Sequence, residues 1–346
     1  MNVSLKPIQE QVIVITGASS GIGLATARAA ARKGAKVVLA SENKEELAKI
    51  VQQIQNEGGQ AIYVVADVGR QEDMQQIATK AIERFGRFDT WVNNAGVSIY
   101  GRLEEVTEAD NRRLFDTNFW GVVSGSLVAA KHLKKRGGAI INLGSELSDL
   151  SIPLQGMYSA SKHAVKGFTD ALRMELEEDE APVSVTLIKP AGINTPYPEH
   201  AKNYTDQELT LPPPVYEPEE VANAILYAAT HPKRDIYVGG ASKLMSTLNK
   251  VVPGVVDWVN QNFMTEMQLK DKPARHKEGG LHKPGKGGKV HGTYEGHTQK
   301  SLYTRATINP VISGVVLAAA SAAAIALIGS NRSKHGNGQY TRRKSV

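Results

Sequence analysis

No cysteine occurs in the 346 residues, so disulfides, thiol chemistry and cysteine-based metal sites are excluded. Met1 to Gln11 contains no apolar run of the kind a secretory signal needs. Histidine is present, but His276, His282, His291 and His297 have no metal-ligand spacing, and no metal is expected. No internal repeat is found. The basic residues have neither an aromatic pattern nor a fold motif behind them that would point to nucleic acid, and no nucleic-acid partner is expected.

What is present is a regular alternation of strand and helix patterns. Strands are expected at Val12–Thr16, Lys36–Ala40, Ala61–Ala66, Thr90–Asn93, Ala139–Leu143, Val183–Ile188 and Ile236–Val238, with helical patterns between them. That alternation predicts an α/β fold: a doubly wound parallel sheet, Rossmann-like and seven-stranded, with helices on both faces. The first strand runs into Thr16-Gly17-Ala18-Ser19-Ser20-Gly21-Ile22-Gly23 and then an alanine-rich helix. Glycines let the backbone approach a pyrophosphate, and a helix N-terminus offers free N–H groups and a positive dipole end. The spacing is G-x-x-x-G-x-G rather than the common G-x-G-x-x-G.

Tyr158 and Lys162 lie four apart at the start of a long helical pattern and so share a face. A free tyrosine titrates near pH ~10, and a neighbouring cation lowers that value, so the pair reads as a proton-transfer device. Taken alone it is weak evidence and reads first as two solvated helix residues.

Thr16 to Gly23, Asn93-Asn94-Ala95-Gly96, Asn118, Ser145 and Tyr158-x-x-x-Lys162, in this order, resemble the short-chain dehydrogenase/reductase family over about residues 8 to 240. The resemblance implies the strand order 3-2-1-4-5-6-7, hydride transfer between a nicotinamide and an alcohol or carbonyl carbon, and a homo-oligomer (dimer or tetramer). It also implies four catalytic residues. Tyr158 is the acid/base, Lys162 lowers its pKa and holds the nicotinamide ribose, Ser145 holds the substrate oxygen, and Asn118 holds a relay water. Cofactor binding falls by the same resemblance on Gly17, Ser19, Gly21, Ile22, Gly23, Glu42, Asp67, Val68, Asn94, Ala95, Gly96, Tyr158, Lys162, Pro190, Ile193 and Thr195. The segment Pro190 to Thr195 departs from the family pattern, with Ala191 in the usual glycine place.

Glu42 follows the glycine turn at the distance where an acid meets ribose hydroxyls and repels a 2′-phosphate, which favours NAD and leaves NADP open. The match is imperfect, because the acid usual in NAD-preferring members falls where this chain has Ser41. Asp67 serves adenine, a helix cap, or both. Substrate walls are expected at 146–155 and 195–216, and neither names a substrate. A second reading keeps the fold as a cofactor-binding scaffold or redox sensor without turnover.

The domain expected to carry this chemistry is 1–266. Of the 41 basic residues 14 lie at 267–346, and of the 35 acids 3 do, so the tail carries a net +11 and the rest −5. Residues 267–310 read as a flexible Gly/Lys/His-rich linker, or one that orders only against a partner. Residues 311–329 carry no charge and as a helix would run about 28 Å, close to a bilayer core. They are expected to be a transmembrane anchor, with a soluble packing or oligomer helix, or disorder, as the alternatives; 330–346 is then a basic tail, and the catalytic domain is expected to be cytoplasmic and membrane-associated through that helix.

Overall fold

A computed structural model of the chain describes residues 3–309. Seven parallel strands form the central sheet: β1 (Val12–Thr16), β2 (Lys36–Ser41), β3 (Gln60–Val65), β4 (Thr90–Asn93), β5 (Gly138–Leu143), β6 (Val183–Pro190) and β7 (Asp235–Val238). Their order is β3-β2-β1-β4-β5-β6-β7, as expected from the resemblance. β1 is the topological switch, with Val14 registered against Val38 on one side and Trp91 on the other. All five of its residues are buried, which is why it reads as a continuous β-branched run.

The connecting helices are α1 (Gly21–Arg32), α2 (Lys44–Asn56), α3 (Gln71–Phe85), α4 (Glu108–Phe115), α5 (Gly121–Leu133), α6 (Gly156–Glu178), α7 (Pro218–Ala228) and α8 (Gly240–Val251). The sheet's two-residue period divides the core. Val12, Val14, Val38 and Val64 pack with Met74 and Ile77 of α3 and Ala129 and Leu133 of α5. α1 packs instead against α7, and its alanines allow the backbones to come close. Local signals end the elements where they should. Asn43 caps α2 by accepting from Glu46 N at 3.1 Å. Gly86, at φ +77°, closes α3.

The 267–310 segment differs from its expected linker character. Leu269–Pro273 pairs antiparallel with Gln207–Leu209, Thr298–Gln299 pairs with Val215–Tyr216, and the compact unit runs on to Thr304. The composition misleads because most of this docking uses backbone N–H and C=O groups, which need no apolar side chain. One exception is Leu281, fully buried among Ile99, Leu114 and Tyr158. Among the described residues no helix is long and apolar enough to cross a membrane. The anchor expected at 311–329 and the tail at 330–346 lie outside the described residues.

Candidate active site

The turn after β1 is shaped by glycine. Gly17 has φ +63°, and a Cβ on it would sit 2.7 Å from Ala95 Cα. Thr16 and Asn94 tie this turn to the end of β4. Asn94 Nδ2 donates to Thr16 O at 2.9 Å, and the amides of Asn94 and Ala95 donate to Thr16 Oγ1 at 3.0 and 3.1 Å. The result is a groove of about 210 Å³ along the C-terminal ends of the strands, where open α/β sheets bind ligands.

Gly17, Ser19, Gly21, Ile22, Glu42, Asp67, Val68, Asn94, Ala95, Gly96 and Thr195 line that groove together, as the candidate set requires of one site. Gly23, Pro190 and Ile193 do not line it. Gly23 sits behind the turn against Gly17 O. Pro190 ends β6 beside Val238, and Ile193 is buried and paired with Tyr216. Tyr158 and Lys162 are not in its lining either, but a Cβ on Gly96 would lie 3.8 Å from Lys162 Nζ, so the pair adjoins the groove's end. This set fits a dinucleotide. The glycine turn is a cradle that a side chain would fill, a helix N-terminus faces it, and the buried Thr117 hydroxyl in its wall has no hydrogen-bond partner.

At the far end, Arg113 joins the two acids. Its guanidinium lies 3.2 Å from Glu42 Oε1 and 2.8 Å from Asp67 Oδ2, and its Nε donates to Leu281 O at 3.0 Å. Burial, then the Asp67 carboxylate, push the Glu42 pKa up against the pull of Arg113. Sequence reading did not single out Arg113, since a basic residue on a charged helix carries no local signal of what it faces.

At the reaction end, Tyr158 and Lys162 stand on the first turns of α6, and both are buried. Lys162 Nζ donates to Leu143 O at 2.8 Å and lies 5.6 Å from the centre of the Tyr158 ring. The lowered tyrosine pKa expected from Lys162 is not what the structure gives. Burial lifts Tyr158 to about 12, although the Tyr197 and Ser145 hydroxyls beside it pull the other way. Burial also drops Lys162 to about 8. Desolvation is the largest cause at both groups.

Asn118 lies in a π-turn, Asp116–Trp120, between α4 and α5. Its side chain bridges Val97, accepting from N at 2.8 Å and donating to O at 2.9 Å, and donates to Ser161 Oγ at 3.2 Å. Ser145 Oγ accepts from Leu147 N at 3.1 Å. The turn that carries Ser145 is pinned from below by buried Asp149. Lys189 Nζ donates to it at 3.0 Å, as does Tyr237 Oη, and Ser246 Oγ donates as well. Burial opposes that charge, yet these bonds hold the Asp149 pKa down to about 2.

Two side chains near Tyr158 belong to the expected substrate walls, 195–216 and 146–155. The Tyr197 ring meets that of Tyr158 edge-on at 5.7 Å, and its hydroxyl donates to Gln155 Oε1 at 2.8 Å. Glu146, next to Ser145, has its pKa raised to about 7 by burial alone. Because the folded value exceeds that of an ordinary glutamate, the folded protein holds a proton that the unfolded chain releases. Stability from this group is present at low pH and is lost as pH rises through about 7. Glu146→Gln is therefore expected to flatten the pH dependence of the melting midpoint over roughly pH 5 to 8. Parallel curves for the variant and the parent would sink this assignment.

Outside the groove, ligand atoms of Glu217, Glu219 and His291 lie within 4.8 Å of one another. They are read here as hydrogen-bonding partners, with His291 Nε2 at 3.2 Å from Glu219.

Comparison with known proteins agrees with this geometry. Residues 11–206 match the model of the family described as short chain dehydrogenase. The chain is 48% identical over 321 residues to an uncharacterized oxidoreductase, YxnA, of Bacillus subtilis, covering 91% of this chain and 90% of that one. Two solved structures superpose on it. A short chain dehydrogenase/reductase from Burkholderia phymatum, in complex with NAD, has a TM-score of 0.65 and 28% identity, covering 74% of this chain and 96% of that one. An alcohol dehydrogenase from the archaeon Thermococcus sibiricus, complexed with 5-hydroxy-NADP, has a TM-score of 0.58 and 29% identity, covering 66% and 95%.

Proposed function

The chain belongs to the short chain dehydrogenase family, and from that premise we propose that it interconverts an alcohol and a carbonyl compound with Tyr158 as proton donor and acceptor. The observation that carries this reading is the Tyr158 hydroxyl set beside Ser145, with Lys162 one turn along the same helix at the groove's end. A nicotinamide dinucleotide in the groove supplies or takes up the hydride.

The chain's own residues do the rest. Ser145 Oγ donates a hydrogen bond to the substrate oxygen and orients it. Tyr158 Oη gives that oxygen its proton in reduction and removes it in oxidation. With its pKa raised to about 12, Tyr158 stands protonated at neutral pH, the form that serves reduction. Lys162 places a positive charge near the oxygen where negative charge develops. Asn118 ties the backbone of Val97 to Ser161 of α6, beside Gly96 at the groove's end.

NAD is the preferred cofactor in this reading, because the Glu42 carboxylate at the groove's far end would repel a 2′-phosphate. Arg113 offsets that preference by pairing with Glu42 and Asp67. NADH is expected to bind the full chain at least about ten-fold more tightly than NADPH, and Arg113→Gln to widen the gap. Titration of both reduced cofactors by fluorescence, followed by a panel of carbonyl substrates read by loss of reduced-nicotinamide absorbance, tests the whole reading. Tighter NADPH binding would overturn the preference. The anchor expected at 311–329 lies outside the described residues and adds nothing to this reading.

A further inference from the structure

The C-terminal segment crosses the mouth of the cofactor groove and is tied down on both banks. It leaves the 194–200 side where Gly280 N donates to His200 O at 2.7 Å. It reaches the opposite bank at Gly285, whose carbonyl accepts from Asn43 Nδ2 at 3.2 Å. There Gly288 N donates to Ser19 O at 2.8 Å and Gly21 N donates to Lys289 O at 2.9 Å. It then returns, with Gly292 N donating to Asn194 O at 3.3 Å.

Close backbone approach is what glycine permits here. A Cβ on Gly285 would stand 2.8 Å from the His200 ring, and one on Gly287 would stand 2.9 Å from Glu46 Cβ. Leu281 anchors the strap by filling the apolar cluster around Tyr158. The groove is not filled by this segment. Gly280, Pro284 and Gly285 line one side of it, and the glycine turn, Glu42 and Asp67 line the other. Lys283, Lys286 and Lys289 stand exposed on the strap, a charge that suits an anionic diphosphate beneath it.

We propose that residues 279–292 are a further wall of the dinucleotide site, a strap that must open before a nicotinamide dinucleotide can enter or leave and that retains it through successive turnovers. The proposal rests on the cofactor reading above.

The lack of cysteine supplies a reversible test. In the full chain, the double variant Glu46→Cys with Gly287→Cys puts the only two thiols at the strap's contact with α2. A disulfide needs its Cβ atoms about 3.8 Å apart, and a small outward shift of the strap gives this. The variant is loaded with NADH, oxidised, and chased with excess NAD while bound-NADH fluorescence is followed, then reduced with dithiothreitol and measured again. Release is expected to be at least about 100-fold slower when oxidised than when reduced, a gap of about 2.7 kcal/mol in the barrier. Leu281→Ala, which loosens the strap without a cross-link, is expected to release NADH at least about ten-fold faster than the parent.

Equal release from the oxidised and reduced forms, with the cross-link verified by mass, would overturn the strap's role and leave the cofactor reading standing. If the thiols do not cross-link, an unchanged rate in Leu281→Ala overturns it. Failure of the reduced protein to bind NADH at all would instead remove the cofactor reading and the strap with it.

Discussion

Replacing Tyr158 by Phe is expected to lower turnover by about 10²–10⁴-fold, the range of a lost general acid–base group, with NADH affinity nearly unchanged. The substitution removes one oxygen and little else. The ring keeps its edge-on contact with Tyr197 at 5.7 Å, and Lys162 keeps its bond to Leu143 O. The groove is lined by other residues, so binding has no reason to fall. Measuring NADH affinity beside steady-state rates separates the two effects. Loss of kcat at constant affinity assigns the proton to Tyr158. A variant that keeps full biological activity while losing turnover points to the scaffold or sensor reading, and one that keeps turnover refutes the role given to the phenol.

Gly17→Ala carries the second large effect. The residue holds φ +63°, a region that costs an L-residue about 1–2 kcal/mol. The new Cβ would also meet the backbone at Ala95 Cα, 2.7 Å away, with Asn94 Nδ2 at 3.0 Å. No rotamer relieves that contact. The turn or the end of β4 must move, and with it the groove between them. NADH affinity is expected to fall at least about 100-fold, or ~2.7 kcal/mol, while circular dichroism retains the α/β signature. Unchanged affinity would mean that the dinucleotide does not sit against this turn.

Much of the fold was readable from local pattern. The first strand marks the sheet most clearly, because a strand buried on both faces is largely apolar. β1 at Val12–Thr16 and β4 at Thr90–Asn93 match their expected bounds, and others differ by a residue or two at their ends. Gly17 and Gly21 declared themselves because positive φ and close approach demand glycine. Tyr158 and Lys162 declared themselves because their spacing is a helix turn.

The same local logic misread 267–310. A stretch poor in apolar side chains looks like a linker, yet its glycines and carbonyls dock on the domain through backbone bonds that composition does not encode. It also misjudged the proton chemistry. Adjacency of a cation predicts a lowered tyrosine pKa, whereas burial, a property of the whole fold, raises Tyr158 and lowers Lys162.

By itself, then, the sequence determined the strand order's raw material, the glycine turn and the shared helix face of Tyr158 and Lys162, since each follows from periods of two and 3.6 residues or from a backbone shape one residue type allows, while Ser145 was reached only through the family resemblance. Only the tertiary structure decided that Arg113 bridges Glu42 and Asp67, that Tyr197 faces Tyr158, and that residues 279–292 cross the groove. Those partners are separated along the chain by tens to more than two hundred residues, as Asn43 is from Gly285. Contacts at such range are fixed by how layers pack and which backbone groups still need partners, and they leave no trace in any local pattern.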